Sequence, residues 1–164
     1  MKSTFLLSLI LVTSFSTAQA ETNFANCTPL TPDQVVLPGN PANVKETALR
    51  ASSIVLSQGL NDDGLFLTAE FKGADVNGKE LNKTISANFG VGIGNSYYSF
   101  SADAKDASDS YKTIRMEVEY IVKKDQPIPT QLLFSVLAVG QPKMFNGQPV
   151  NVTTTSHSLC DIIQ

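Results

Sequence analysis

The chain has 164 residues and a net charge of −3, with 16% charged side chains, which is enough for one domain around a single core. The acidic balance, with no run of more than two lysines or arginines, excludes the basic footprint that a nucleic-acid partner needs. One histidine and two cysteines are too few for a zinc site of the usual type, so neither a metal nor a cofactor is expected.

Residues 1–20 carry the parts of an export signal in order: Lys2, an apolar run from Phe5 to Val12, and small residues Ala18 and Ala20 at the minus-three and minus-one positions. The run is too short to cross a bilayer about 30 Å thick. The expected product is therefore a single mature domain, 21–164, secreted or periplasmic and not membrane-spanning. Cleavage removes one lysine and no acid, leaving the domain slightly more acidic. Its two cysteines, Cys27 and Cys160, lie near its two ends and in that compartment are expected to form a disulfide. Such a bridge brings the termini together and withdraws both thiols from nucleophilic and metal chemistry.

The stretch 21–43 holds Pro29, Pro32, Pro38 and Pro41 and reads as an extended lead-in, with a short edge strand near Gln34–Leu37. The next segment supports two readings. Asn40-Pro41 as a cap, with Val44, Ala48, Ala51 and Val55 at helical spacing, predicts a helix near 42–58. Ile54, Leu56 and Leu60 in alternation predict instead a strand ending at Leu60, turned by Asn61-Asp62-Asp63-Gly64.

Leu65, Leu67, Ala69 and Phe71 then alternate with polar residues, and after Asp75-Val76-Asn77-Gly78 so do Leu81, Ile85, Ala87 and Phe89, which predicts a hairpin. Gly90-Val91-Gly92-Ile93-Gly94 lacks the spacing of a phosphate loop. It reads as a bulge or close strand approach with bare backbone for a ring, or as a point where a ligand approaches. Tyr97–Ala102 is a short strand, and Tyr111–Lys124 a long one with Ile114, Met116, Val118, Tyr120 and Val122 on one face, ended by Pro127 and Pro129. Leu132–Val139 is apolar on both faces, so a helix, a loop or a second subunit is expected to cover its outer side. Asn146-Gly147 turns the chain into a Val- and Thr-rich last strand, from Pro149 to His157, that returns Cys160 to Cys27.

Alternating strands separated by turn signals predict an antiparallel β-sandwich of six to eight strands, closed by one disulfide. The alternative is an α+β domain with one helix near 42–58 packed on an antiparallel sheet. Chemistry is sparse. Ser156 and Ser158 flank His157 but point to the opposite face of a strand, so no triad forms locally. Asp62-Asp63 and Asp103, Asp106, Asp109 lack the alternating spacing of a calcium loop and read as solvated loop acids. Glu117 and Glu119, about 7 Å apart on one strand face, are the pair a small carboxylate-dependent hydrolase would use. The segment Lys123–Thr130, stiffened by two prolines, is the loop a hydrolase inhibitor would insert. Tyr97, Tyr98, Phe100 and Phe145 are the candidate binding surface, because aromatics near loops stack on partners. The leading expectation is an exported, non-catalytic β-domain that binds a protein, peptide or surface component.

Overall fold

The computed structural model describes residues 21–30, 34–36, 50–74, 80–105, 111–145, 147–151 and 153–163. The expected export signal, residues 42–49 of the expected helix, the Asp75-Val76-Asn77-Gly78 turn, Asp106 and Asp109 lie outside them. Eleven strands occupy the described residues: β1 (Thr22–Pro29), β2 (Gln34–Val36), β3 (Arg50–Asn61), β4 (Gly64–Ala74), β5 (Glu80–Ile93), β6 (Tyr97–Asp103), β7 (Tyr111–Lys123), β8 (Gln126–Gly140), β9 (Lys143–Phe145), β10 (Gln148–Val150) and β11 (Thr153–Ile162).

From β3 to β8 each strand pairs antiparallel with the next, β8 then pairs with β11, and β1 pairs with both β3 and β11. The result is a closed eight-strand barrel of β1, β3–β8 and β11, and not the expected sandwich. Alternation cannot separate the two folds, since either wall has one apolar and one polar face. Closure decides it, because the first and last strands are direct neighbours. Cys27 and Cys160 are opposite residues of that last ladder and are joined by a disulfide with Cα atoms 3.8 Å apart. The small β2 prolongs the β1 position along the other half of β11.

Where 42–58 is described, from Arg50 onward, it is strand and not helix. Ile54 and Leu56 are buried in the barrel, which a helical phase would not allow, and the expected turn follows, with the Asp63 N–H donating to Asn61 Oδ1 at 2.9 Å. Gly64 adopts φ 107° there, a conformation that favours glycine. Pro127 and Pro129 do not end β7. The turn comes earlier, at Lys124-Asp125, and both prolines lie in β8 beyond the last β11 pairing, where a missing N–H is tolerated.

The barrel is filled by one inward stripe per strand, including Ile54, Leu67, Phe71, Ile85, Met116, Leu132 and Phe134, as expected for eight strands, whose interior just accommodates side chains. The outer wall is polar, carrying Thr68, Glu70, Thr84, Ser86, Ser99, Arg115, Glu117, Ser135 and His157. On β8, Leu132, Phe134 and Val136 point inward. Leu133 and Val139 on the outer side are half-buried between their neighbours on β7 and β11, and Leu137 is exposed.

Candidate functional site

Twist and unequal strand lengths leave a hollow at the barrel end where β3 meets β4. A cavity of about 240 Å³ opens there, lined by Phe24, Gln58, Leu65, Leu67, Tyr98, Phe100, Val118 and Tyr120. Each residue reaches it for a local reason. On β1 the register with β3 slips between Asn23 and Ala25, and this bulge turns Phe24 inward beside Ala25, which strict alternation would forbid. Tyr98 and Phe100 continue the inward stripe of β6 to its mouth end, as Val118 and Tyr120 do on β7.

The rings form a connected set. Tyr98 and Tyr120 meet edge to face with centroids 6.0 Å apart, and Phe89 lies 6.4 Å from Tyr98 and 5.8 Å from Phe100. Phe89–Phe100 is also edge to face, whereas Phe89–Tyr98 is tilted, and edge-to-face pairs add about 0.5–1.5 kcal/mol beyond their burial. A bulge falls at Gly90, between Phe89 and Val91, and a Cβ on Gly92 would stand 3.4 Å from the rings of both Phe89 and Tyr98. The glycine run thus supplies both a bulge and bare backbone under rings. At the opposite end of the barrel the Lys83 ammonium lies 5.0 Å from the Tyr111 ring centroid.

The expected binding residues are divided by this geometry. Tyr98 and Phe100 come together in the cavity. Tyr97 points to the outer wall, where Arg115 donates to its hydroxyl at 3.3 Å. Phe145 belongs to the separate β9–β10 hairpin, and its side chain lies outside the described residues. Phe24, Gln58, Leu65 and Tyr120 were not expected. Tyr120 was legible as the mouth end of an inward stripe, whereas Phe24 depends on a bulge without a sequence signal of its own.

Among the described residues, the cavity lining carries no nucleophile and no carboxylate. Its polar atoms are two phenols and the Gln58 amide, which suit a neutral group with an apolar body and a polar edge. The Tyr98 hydroxyl donates to Asn95 O at 3.5 Å. Burial, and secondarily Tyr98, raise the Tyr120 phenol above its usual value. The folded chain therefore holds this proton more tightly than the unfolded chain, whose tyrosines titrate near 10. The resulting stability is complete below about pH 10 and is lost as pH rises through the folded value. The urea midpoint is expected to fall in this alkaline range, and to fall less steeply in Tyr120→Phe; equal slopes would remove this origin.

The outer wall holds a second polar group. Glu117, Ser135 and His157 are side-by-side residues of β7, β8 and β11, and Ser135 Oγ and His157 Nδ1 are 2.8 Å apart. Sequence neighbours offered His157 no such partner; the fold supplies one across strands. The arrangement lacks the order of a triad, because Glu117 flanks the serine and not the imidazole. Ser135 also lies mid-strand between two ladders that engage its backbone, leaving no N–H to stabilise an oxyanion.

Glu117 itself pairs with Arg115, Oε1 to Nε at 2.9 Å, and Arg115 Nε also donates to Ser99 at 2.9 Å. Glu117 raises the Tyr97 phenol, chiefly through a hydrogen bond. Glu119 is exposed on the same outer face, so the carboxylate pair and the cavity lie on opposite sides of β7. The stretch Lys123–Thr130 forms the β7–β8 turn and the start of β8. Among the described residues no three His, Cys, Asp or Glu side chains gather as a metal ion requires. No known family model matches the chain, and neither does any curated protein sequence.

Proposed function

We propose that the mature domain is an exported, non-catalytic binding module whose aromatic barrel mouth takes up an apolar or aromatic group of its partner. The observation that carries this reading is the cavity itself. Its volume of about 240 Å³ exceeds the roughly 150 Å³ at which an apolar cavity already holds benzene, and falls below the roughly 300 Å³ where drug-sized pockets begin. One ring or a short branched chain fits, which is the size of a side chain or the end of a larger molecule.

Export is supported by the buried Cys27–Cys160 bridge, which is compatible with a secreted or periplasmic protein. No helix among the described residues is long and apolar enough to cross a membrane. The barrel is apolar inside and polar outside, the reverse of a membrane-spanning barrel, which supports a water-exposed wall.

Toluene is the simplest probe of the mouth. Titrated against the mature protein, it is expected to shift the aromatic NMR signals of Tyr98, Phe100 and Tyr120 while leaving Tyr111, at the other end, in place. A Leu65→Trp variant that fills the mouth is expected to abolish those shifts. Shifts spread equally over both ends, or none at all, would remove the cavity as the binding site.

A further inference from the structure

Strand β5 outruns its neighbour. Its register with β4 stops at the Asn88–Phe66 pair, while its register with β6 continues to Ile93–Tyr97. Beyond the last bond of the β4 ladder, which Phe89 N–H makes by the phase of the ladder, Val91–Ile93 has, among the described residues, a ladder partner on one side only. One bond fixes the phase of this edge. Tyr120 N–H donates to Ser96 O at 2.7 Å, so these two form a hydrogen-bonded pair of the antiparallel ladder. Counting along β6, Tyr98 also turns its backbone groups toward β7, and Tyr97 and Ser99 turn theirs toward β5. Their partners Ile93 and Val91 are bonded to β6. Gly92, between them, directs its N–H and C=O away from β6 and along the open edge.

Two protruding edges of this barrel are treated differently. The start of β8, Gln126–Thr130, also extends past its neighbour β11, but it contains Pro127 and Pro129, a common device against pairing with other chains. The β5 edge, Gly90-Val91-Gly92-Ile93, has neither proline nor charge. Val91 is 48% and Ile93 66% exposed on its outer face. Gly92 faces the mouth with no side chain to obstruct it.

We propose that this edge accepts an extended segment of a partner polypeptide, which adds to β5 as a further strand and sends one apolar or aromatic side chain into the mouth cavity. The proposal rests on the cavity being a binding site and adds the chemistry of what enters it. In an added strand, the residue opposite Gly92 faces the cavity, and its two neighbours lie against Val91 and Ile93 on the outer face. Main-chain bonds to Gly92 then provide affinity, and the alternating side chains provide selection. The preferred segment is a large apolar residue between two β-branched ones. A second copy of this chain, paired through the same edge, would set Gly92 against Gly92 and leave the cavity unfilled.

The probe is the capped peptide acetyl-Lys-Thr-Val-Phe-Val-Thr-Lys-amide, titrated against the mature protein and two variants. Gly92→Ala and Gly92→Pro both add a Cβ, but only the second removes the edge N–H. The peptide is expected to bind the wild type and Gly92→Ala, and to bind Gly92→Pro about tenfold more weakly or worse, the loss typical of a missing hydrogen bond with its partner left unpaired. Methylating the phenylalanine nitrogen of the peptide tests the same ladder on intact protein and is expected to cost as much, so a misfolded Gly92→Pro would not shield the proposal. Equal affinity of the methylated and unmethylated peptides would overturn strand addition. So would toluene binding without peptide binding, which would leave the cavity reading standing; failure of both probes would remove the two together. Self-association of the wild type that Gly92→Pro abolishes, with the cavity still open to toluene, would assign the edge to a second copy and also overturn the proposal.

Discussion

Replacing Cys27 and Cys160 together by alanine is expected to lower the unfolding free energy by about 2–5 kcal/mol. The bridge spans 133 residues of sequence, so in the unfolded chain it ties one end of the described domain to the other. On the chain-entropy model a loop of this size corresponds to about 5 kcal/mol, an upper bound because unfolded chains retain some compactness. The location adds to the effect. The two sulfurs are buried in the ladder where the barrel closes, and β1 is held elsewhere by β3 alone. Alanine is the right substitute, since serine would bury two hydroxyls in an apolar wall. Urea unfolding of the oxidised wild type and the double variant measures the difference, and the variant's m-value is expected to rise as its unfolded state expands. A difference below about 1 kcal/mol would mean that ladder pairing, and not the cross-link, holds the first strand to the last.

The wall of this barrel was legible in the sequence, and its closure was not. Alternation placed Leu67, Ala69, Phe71, Ile114, Met116 and Val118 correctly on the buried face, because a period of two is a local property of a strand. Whether the first and last strands pair is a long-range fact that no local pattern encodes. The cysteine spacing implied that the ends meet, yet a bridge between neighbouring strands and one between two sheets look the same in one dimension. The ambiguous segment resolved toward strand from Arg50 onward because Ile54 and Leu56 complete an interior that a helix could not have filled. Of the aromatic residues singled out in the sequence, Tyr98 and Phe100 line the cavity. Tyr97, their immediate neighbour, was lost to the outer wall by the same period of two. The free edge of β5 was invisible for a different reason: it depends on where β4 begins relative to the end of β5, which is a matter of register and not of residue type.

Phe134→Ala is expected to cost about 3–5 kcal/mol, a large part of the roughly 5–15 kcal/mol that stabilises a domain of this kind. Phe134 is 1% exposed, lies at mid-barrel opposite Val118 and Ser158, and packs its ring 6.5 Å from that of Phe71. Its removal leaves a void that a closed wall cannot collapse, because each strand is held by ladders on both sides and cannot shift without breaking register. Phe89 offers the matching contrast. It is the same residue type on an inward stripe, but it stands at the mouth and is 42% exposed, so Phe89→Ala is expected to cost less, about 1–2 kcal/mol. The two variants separate the tasks of the aromatic side chains. Phe134→Ala is expected to lower the urea midpoint sharply while the surviving folded fraction still shows toluene shifts at Tyr98 and Tyr120. Phe89→Ala is expected to lower the midpoint much less and to weaken those shifts, because Phe89 packs against Tyr98 and Phe100 at the cavity rim. Equal losses of stability would mean that the mouth rings are simply the end of the core, and the division between a structural centre and a binding mouth would fail.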